Sequence, residues 1–322
     1  LDYISREIIE SGELSDLVAG GIRGLTSNPT IFQKAFAESS IYDEAIKTTL
    51  TNQPGLAPDR LFEHLAVVDI RDAADALWPV YETSDRNDGY VSLEVSPELA
   101  HNTEGTIADA RRLWEWVERP NLMIKIPATP EGIPAIEESI AAGLNINATL
   151  MFSLDDYEAV AHAYLRGLER TTDPARIASV ASFFVSRVDT AVDEALDELG
   201  TADAAKLKGT IAVANSKLAY DRYRELFGTA FDALRDRGGR PQRVLWASTS
   251  TKNPDYPDTL YVDELVGPNT VNTMPPDTID AFRDHGTINV AAISSDVDTS
   301  RDAIAALGDL GIDFDAITAQ LQ

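Results

Sequence analysis

The chain has 322 residues, 44% of them hydrophobic, with 53 acidic against 27 basic side chains and a formal net charge of -26. Such a charge opposes any broad surface for nucleic-acid backbones or anionic membranes, and no apolar run approaches the roughly 20 residues of a membrane-crossing helix. With no cysteine there are no disulfides, thiolate nucleophiles or cysteine zinc sites; His64, His101, His162 and His285 nowhere stand at metal-ligand spacing, so no metal is expected.

Taken in chain order, short β-favouring runs alternate with longer amphipathic stretches. The runs cover residues 1–3 (a stump), 24–27, 90–95, 122–126, 144–150, 178–184, 243–248 and 270–273, eight in all. Between them, residues 61–81 place Leu61, Leu65, Val68, Ala73, Leu77 and Val80 along a helical stripe. Ser96-Pro97, and Ser153 before Leu154, each put a capping hydroxyl ahead of an expected helix. No Gly-x-Gly-x-x-Gly turn follows any run, which argues against an open dinucleotide-binding sheet. The pattern predicts an α/β chain, a (β/α)8 TIM barrel with additional helices, as a single domain over 1–322; a split into two four-stranded halves is the alternative. Residues 253–268, rich in Pro and Asp, read as one long barrel loop.

One lysine stands inside an apolar strand, in Asn121-Leu-Met-Ile-Lys-Ile-Pro127. By alternation Met123, Lys125 and Pro127 share a face, so Lys125 is expected to point into the barrel. Desolvation there disfavours an ammonium and favours a neutral amine able to attack a carbonyl, the requirement for a Schiff base. An edge-strand lysine that discourages aggregation would read the same way on this segment alone.

Other polar residues recur at strand ends, the face on which barrel active sites form. Asp2 lies in the first, stump-like run, Asn28 ends Gly-Leu-Thr-Ser-Asn, and Glu94 sits in Val-Ser-Leu-Glu-Val. Asn145, Asn147 and Thr149 alternate along one strand and should face one way, an arrangement that is costly unless they bond a ligand, a water or each other. Asn28 before Pro29 also reads as a helix start. Asp2 and Glu94 are the candidate proton carriers. Ser182 in the run 178–184, with Ser186 and Arg187 just past it, supply donors where a helix should begin, and the run Ala247-Ser-Thr-Ser-Thr-Lys252 adds hydroxyls and a cation. A pairing of Arg187 with its neighbour Asp189 is the alternative to anion binding.

Taken together, these segments resemble the transaldolase family over nearly the whole chain. Gly24 to Thr30 is similar to its Thr-Asn-Pro element, Asn121 to Pro127 to its Schiff-base strand, Gly143 to Ser153 to its Asn-x-Asn-x-Thr element, and Ser182 to Arg187 to its phosphate segment. The resemblance implies Lys125 as nucleophile, Asp2 as general acid/base, and Glu94 with Thr149 holding a proton-relaying water. It implies Asn28 and Asn147 on substrate, Ser182 and Phe184 shaping the pocket, and Arg187 and Ser248 on phosphate. The implied reaction moves a dihydroxyacetone unit from sedoheptulose 7-phosphate to glyceraldehyde 3-phosphate, with no cofactor and sugar phosphates as partners. A cytoplasmic monomer or homodimer is expected. The chain departs from the family where relatives carry a second arginine, reading Ser248-Thr-Ser-Thr-Lys252 instead. It is also expected to lack its natural start and a C-terminal helix. The alternatives are a fructose-6-phosphate aldolase, which would release dihydroxyacetone, and a non-catalytic sugar-phosphate-binding barrel.

Overall fold

A computed structural model describes residues 1–322. Seven strands run parallel in one sheet in sequence order: β1 (Gly24–Thr26), β2 (Tyr90–Glu94), β3 (Leu122–Pro127), β4 (Ile146–Met151), β5 (Ser179–Phe184), β6 (Arg243–Ala247) and β7 (Thr270–Asn272). Parallel neighbours require crossovers, and helices supply them. The chain divides into two compact units, Leu1–Leu99 with Glu104–Lys125, and Ala100–Thr103 with Ile126–Gln322, so that β3 contributes to both.

In the first unit β1 pairs β2 from Gly24↔Tyr90 to Thr26↔Ser92, and β2 pairs β3 from Val91↔Leu122 to Glu94↔Lys125. The stripe read in 61–81 lies within the helix Pro58–Thr83, which opens on proline, where the missing N–H costs nothing, and buries Leu65, Ile70, Ala73 and Leu77. Gly89 makes the turn from this helix into β2. Its φ is +84°, and a Cβ there would stand 2.4 Å from the Tyr81 nitrogen. Fully buried Asp69 on the same helix receives Arg6 Nε at 2.9 Å and the Tyr42 hydroxyl at 2.8 Å, which ties the N-terminal segment down.

In the second unit β4 pairs β5 from Ile146↔Ser179, β5 pairs β6 from Val180↔Arg243 to Phe184↔Ala247, and β6 pairs β7 from Val244↔Thr270. Tyr157, Phe183 and Trp246 meet edge to face in its core. Ser153 caps the helix Leu154–Arg170 as read, within a capping box completed by Asp156, a device worth about 1 kcal/mol. Gly167 lets that helix close on Gly132–Ala141, since a Cβ would meet the Glu137 oxygen at 2.7 Å.

Several expectations are corrected. The sheet counts seven strands, and residues 1–3 are not among them: they join β1 through Leu1 N to Gly24 O and Thr26 N to Leu1 O, both 2.9 Å, before Ser5 caps the helix Arg6–Glu10. Ser96-Pro97 leads into a 3-10 turn, Pro97–Leu99, while the helix proper begins at Thr103; the Ser96 N–H is engaged by the Asp109 carboxylate. The strand read at 144–150 starts at Ile146 and bulges between Ala148 and Met151, where Leu150 has φ +61°. The loop 253–268 contains a short helix, Leu260–Asp263. No helix is long and apolar enough to cross a membrane.

Candidate active site

In the first unit the register sets the chemistry. Residues paired across parallel strands share a face, so Thr26, Ser92 and Met123 form one row and Glu94 and Lys125 the next, at the C-terminal end of β2. Lys125 is 8% exposed; its Nζ lies 3.2 Å from Glu94 Oε2 and donates to the Ser27 carbonyl at 3.1 Å. The lysine is therefore buried and shares a face with Glu94, and it does not stand in a purely apolar slot. An amine with a carboxylate in reach is a nucleophile with a proton acceptor beside it.

Asp2 is half-buried and its Oδ1 accepts the Thr26 hydroxyl at 2.7 Å. That bond fixes the carboxylate beside β1, in the unit that also holds Lys125. Asn28 stands just past β1, and its side chain accepts from Ile31 N at 3.0 Å, capping the helix Pro29–Glu38. The helix-start reading of Asn28-Pro29 is thus correct, and the amide nitrogen of Asn28 is left for other partners. Sequence reasoning missed Thr26 and Ser27 as supports for Asp2 and Lys125. Both lie inside Gly24-Leu-Thr-Ser-Asn28, so their position in that element was the available signal.

The second unit carries a neutral set. On β4, Asn147 and Thr149 share a face and are buried; Asn147 Oδ1 accepts the Ser182 hydroxyl of β5 at 2.6 Å. Thr149 also gives its carbonyl to Ala128 N at 2.7 Å. Asn145 does not join them. It precedes β4, and its Oδ1 accepts from Ala178 N at 2.9 Å, bracing the entry to β5.

The chain then runs straight from β5 into the helix Ser186–Leu199. Ser248, just past β6, sits at φ +57°, a conformation that costs a non-glycine residue about 1–2 kcal/mol. What holds it there is Ser186: Ser186 N donates to Ser248 O at 2.9 Å, and the two hydroxyls meet at 2.8 Å. Hydroxyls at a helix N-terminus suit an anion. Arg187, in the first turn and exposed, lies 4.8 Å over the Phe184 ring instead of pairing with Asp189. Phe184 in turn packs on Phe152, ring centroids 5.2 Å apart. Lys252 is exposed and donates to Ser250 Oγ at 2.7 Å. Ser186 is the residue whose structural part, as the prop of Ser248, was not legible beforehand.

The profile of the Transaldolase/Fructose-6-phosphate aldolase family matches residues 1–322. The chain is 48% identical over 328 aligned residues to a protein named Transaldolase from Frankia alni, covering all of this chain and 88% of that one. It is 49% identical to Transaldolase of Thermobifida fusca, 89% of which is covered, and 47% identical over 338 residues to Transaldolase 2 of Nostoc punctiforme, 88% of which is covered.

Proposed function

Since the chain belongs to the transaldolase/fructose-6-phosphate aldolase family, we propose that it transfers a dihydroxyacetone unit from sedoheptulose 7-phosphate to glyceraldehyde 3-phosphate through an imine on Lys125. Its activity is that of a transaldolase. The observation that carries the assignment of the nucleophile is Lys125 Nζ at the strand ends, with the Glu94 carboxylate 3.2 Å away.

The Lys125 amine adds to the ketose C2 carbonyl, and loss of water leaves the iminium. Asp2 takes the proton of the C4 hydroxyl as the C3–C4 bond breaks, and the aldose phosphate departs. The electron pair of that bond is held by delocalisation into the iminium until the acceptor aldehyde is attacked. Water then frees the product and restores the amine. Glu94 handles that water, and Thr149 keeps the role of a water ligand. Asn28 and Asn147 hold substrate hydroxyls, Ser182 and Phe184 shape the pocket, and Arg187 and Ser248 take a phosphate. The reading makes residues 1–3, already bonded to β1 through Leu1, the eighth strand of one closed barrel domain over 1–322, and its expected place is the cytoplasm.

The test is intact mass after incubation with fructose 6-phosphate and borohydride, beside Lys125→Ala. A three-carbon adduct that maps to Lys125 and is missing from the variant is expected. Acceptor-dependent turnover then separates transfer from release of free dihydroxyacetone. Folded wild-type protein that gains no adduct would refute the assignment.

A further inference from the structure

Helix Ser186–Leu199 carries Asp189 and Asp193, four residues apart on one face and both buried. Each carboxylate makes the same two bonds. Asp189 accepts the Ala212 N–H at 2.7 Å and the Tyr261 hydroxyl at 2.8 Å. Asp193 accepts the Gly209 N–H at 3.1 Å and the Tyr256 hydroxyl at 2.6 Å. Gly209 is shaped for this partner: its φ is +69°, and a Cβ there would stand 2.7 Å from the Tyr256 ring.

Both tyrosines belong to the segment that follows Ser248, and Ser248 itself leans on Ser186, the first residue of the same helix. Ser186, Asp189 and Asp193 are spaced by three and four residues, so one helix face moulds the segment from Ser248 to Tyr261. There is a second consequence. Asp189 stands two residues from Arg187, yet both its oxygens are engaged by Ala212 and Tyr261, so the carboxylate is turned away from the guanidinium. Arg187 rests on Phe184 instead.

We propose that Tyr261 and Tyr256, acting through Asp189 and Asp193, are positioning residues that set Ser248 and Arg187 for the phosphate group of the substrate. This rests on the reading of Arg187 and Ser248 as phosphate ligands. Without the Tyr261 hydroxyl, Asp189 loses a bond that competes for it, and Arg187 gains a neighbouring anion as rival to substrate.

The test compares Tyr261→Phe and Tyr256→Phe with Tyr164→Phe, which removes a buried hydroxyl of the same unit, bonded to Arg240 O, without touching this helix face. Steady-state kinetics use glyceraldehyde 3-phosphate and unphosphorylated glyceraldehyde as acceptors. For Tyr261→Phe we expect KM for the phosphorylated acceptor to rise about tenfold, with kcat and the unphosphorylated KM within about twofold of wild type. Tyr256→Phe, at a half-exposed ring, should show a smaller rise of the same kind, and Tyr164→Phe none. Restoring a partner by Tyr261→His should recover part of the KM. A rise equal for both acceptors, or a Tyr261→Phe indistinguishable from Tyr164→Phe, overturns the proposal. Borohydride trapping in parallel separates the two failures. Wild type without an adduct sinks the functional reading itself; an adduct in every variant with no phosphate-dependent change in KM sinks the positioning role alone.

Discussion

The two units equip the end of the sheet differently. The first brings ionisable groups together: Lys125 and Glu94 in one row of the register, with Asp2 held by Thr26. The second brings neutral donors and acceptors together, Asn147 with Ser182 and Ser186 with Ser248, and adds one exposed guanidinium. The contrast follows from what each must do. Groups that move protons or share electrons must be able to change charge, whereas groups that only hold a substrate work best when their charge stays constant. The first unit should therefore govern turnover and the second substrate affinity.

Asp2→Asn should give the largest effect, a fall in kcat of about 10³-fold with KM little changed, since the amide still accepts from Thr26 but cannot take a proton. Steady-state kinetics would read this directly, and a rise in KM with kcat intact would break the contrast.

The second unit does hold a strongly perturbed carboxyl group, and it should act on stability, not chemistry. Burial pushes the Asp189 carboxyl up from 3.8 to about 6, outweighing the Ala212 N–H and the Tyr261 hydroxyl, which favour the anion, while Asp193 adds to the rise. The folded chain thus holds that proton where the unfolded chain has released it. Asp189 favours folding most below pH 3.8, and its contribution declines as pH climbs to about 6. Between those limits the stability of wild type relative to Asp189→Asn should drop by about 3 kcal/mol, measured by urea unfolding at a series of pH values. A difference independent of pH would mean the carboxyl titrates normally.

Arg187→Ala sharpens the contrast from the other side. Losing a charge-assisted contact to phosphate should raise KM for the phosphorylated acceptor about thirtyfold while kcat holds. Equal loss in kcat would show that Arg187 belongs with the first group.

Much of this was legible in the residues. Lys125 betrayed itself because a cation inside Leu-Met-Ile-Lys-Ile-Pro is costly without a reason, and Asn147 with Thr149 because alternation turns both the same way. Helix starts at Pro29 and Leu154 were readable because proline and capping side chains act within one turn of their own position. Chain-local physics determined the parallel α/β class and the types of group at the strand ends. Tertiary structure decided which partners those groups took. Glu94 faces Lys125 through an inter-strand register, Asn145 is drawn off to Ala178, and Ser186 supports a left-handed Ser248. Asp189 turns from Arg187 to a tyrosine 72 residues away. Hydrogen bonds of that span depend on how separate elements close on one another, and no spacing within a single segment encodes them.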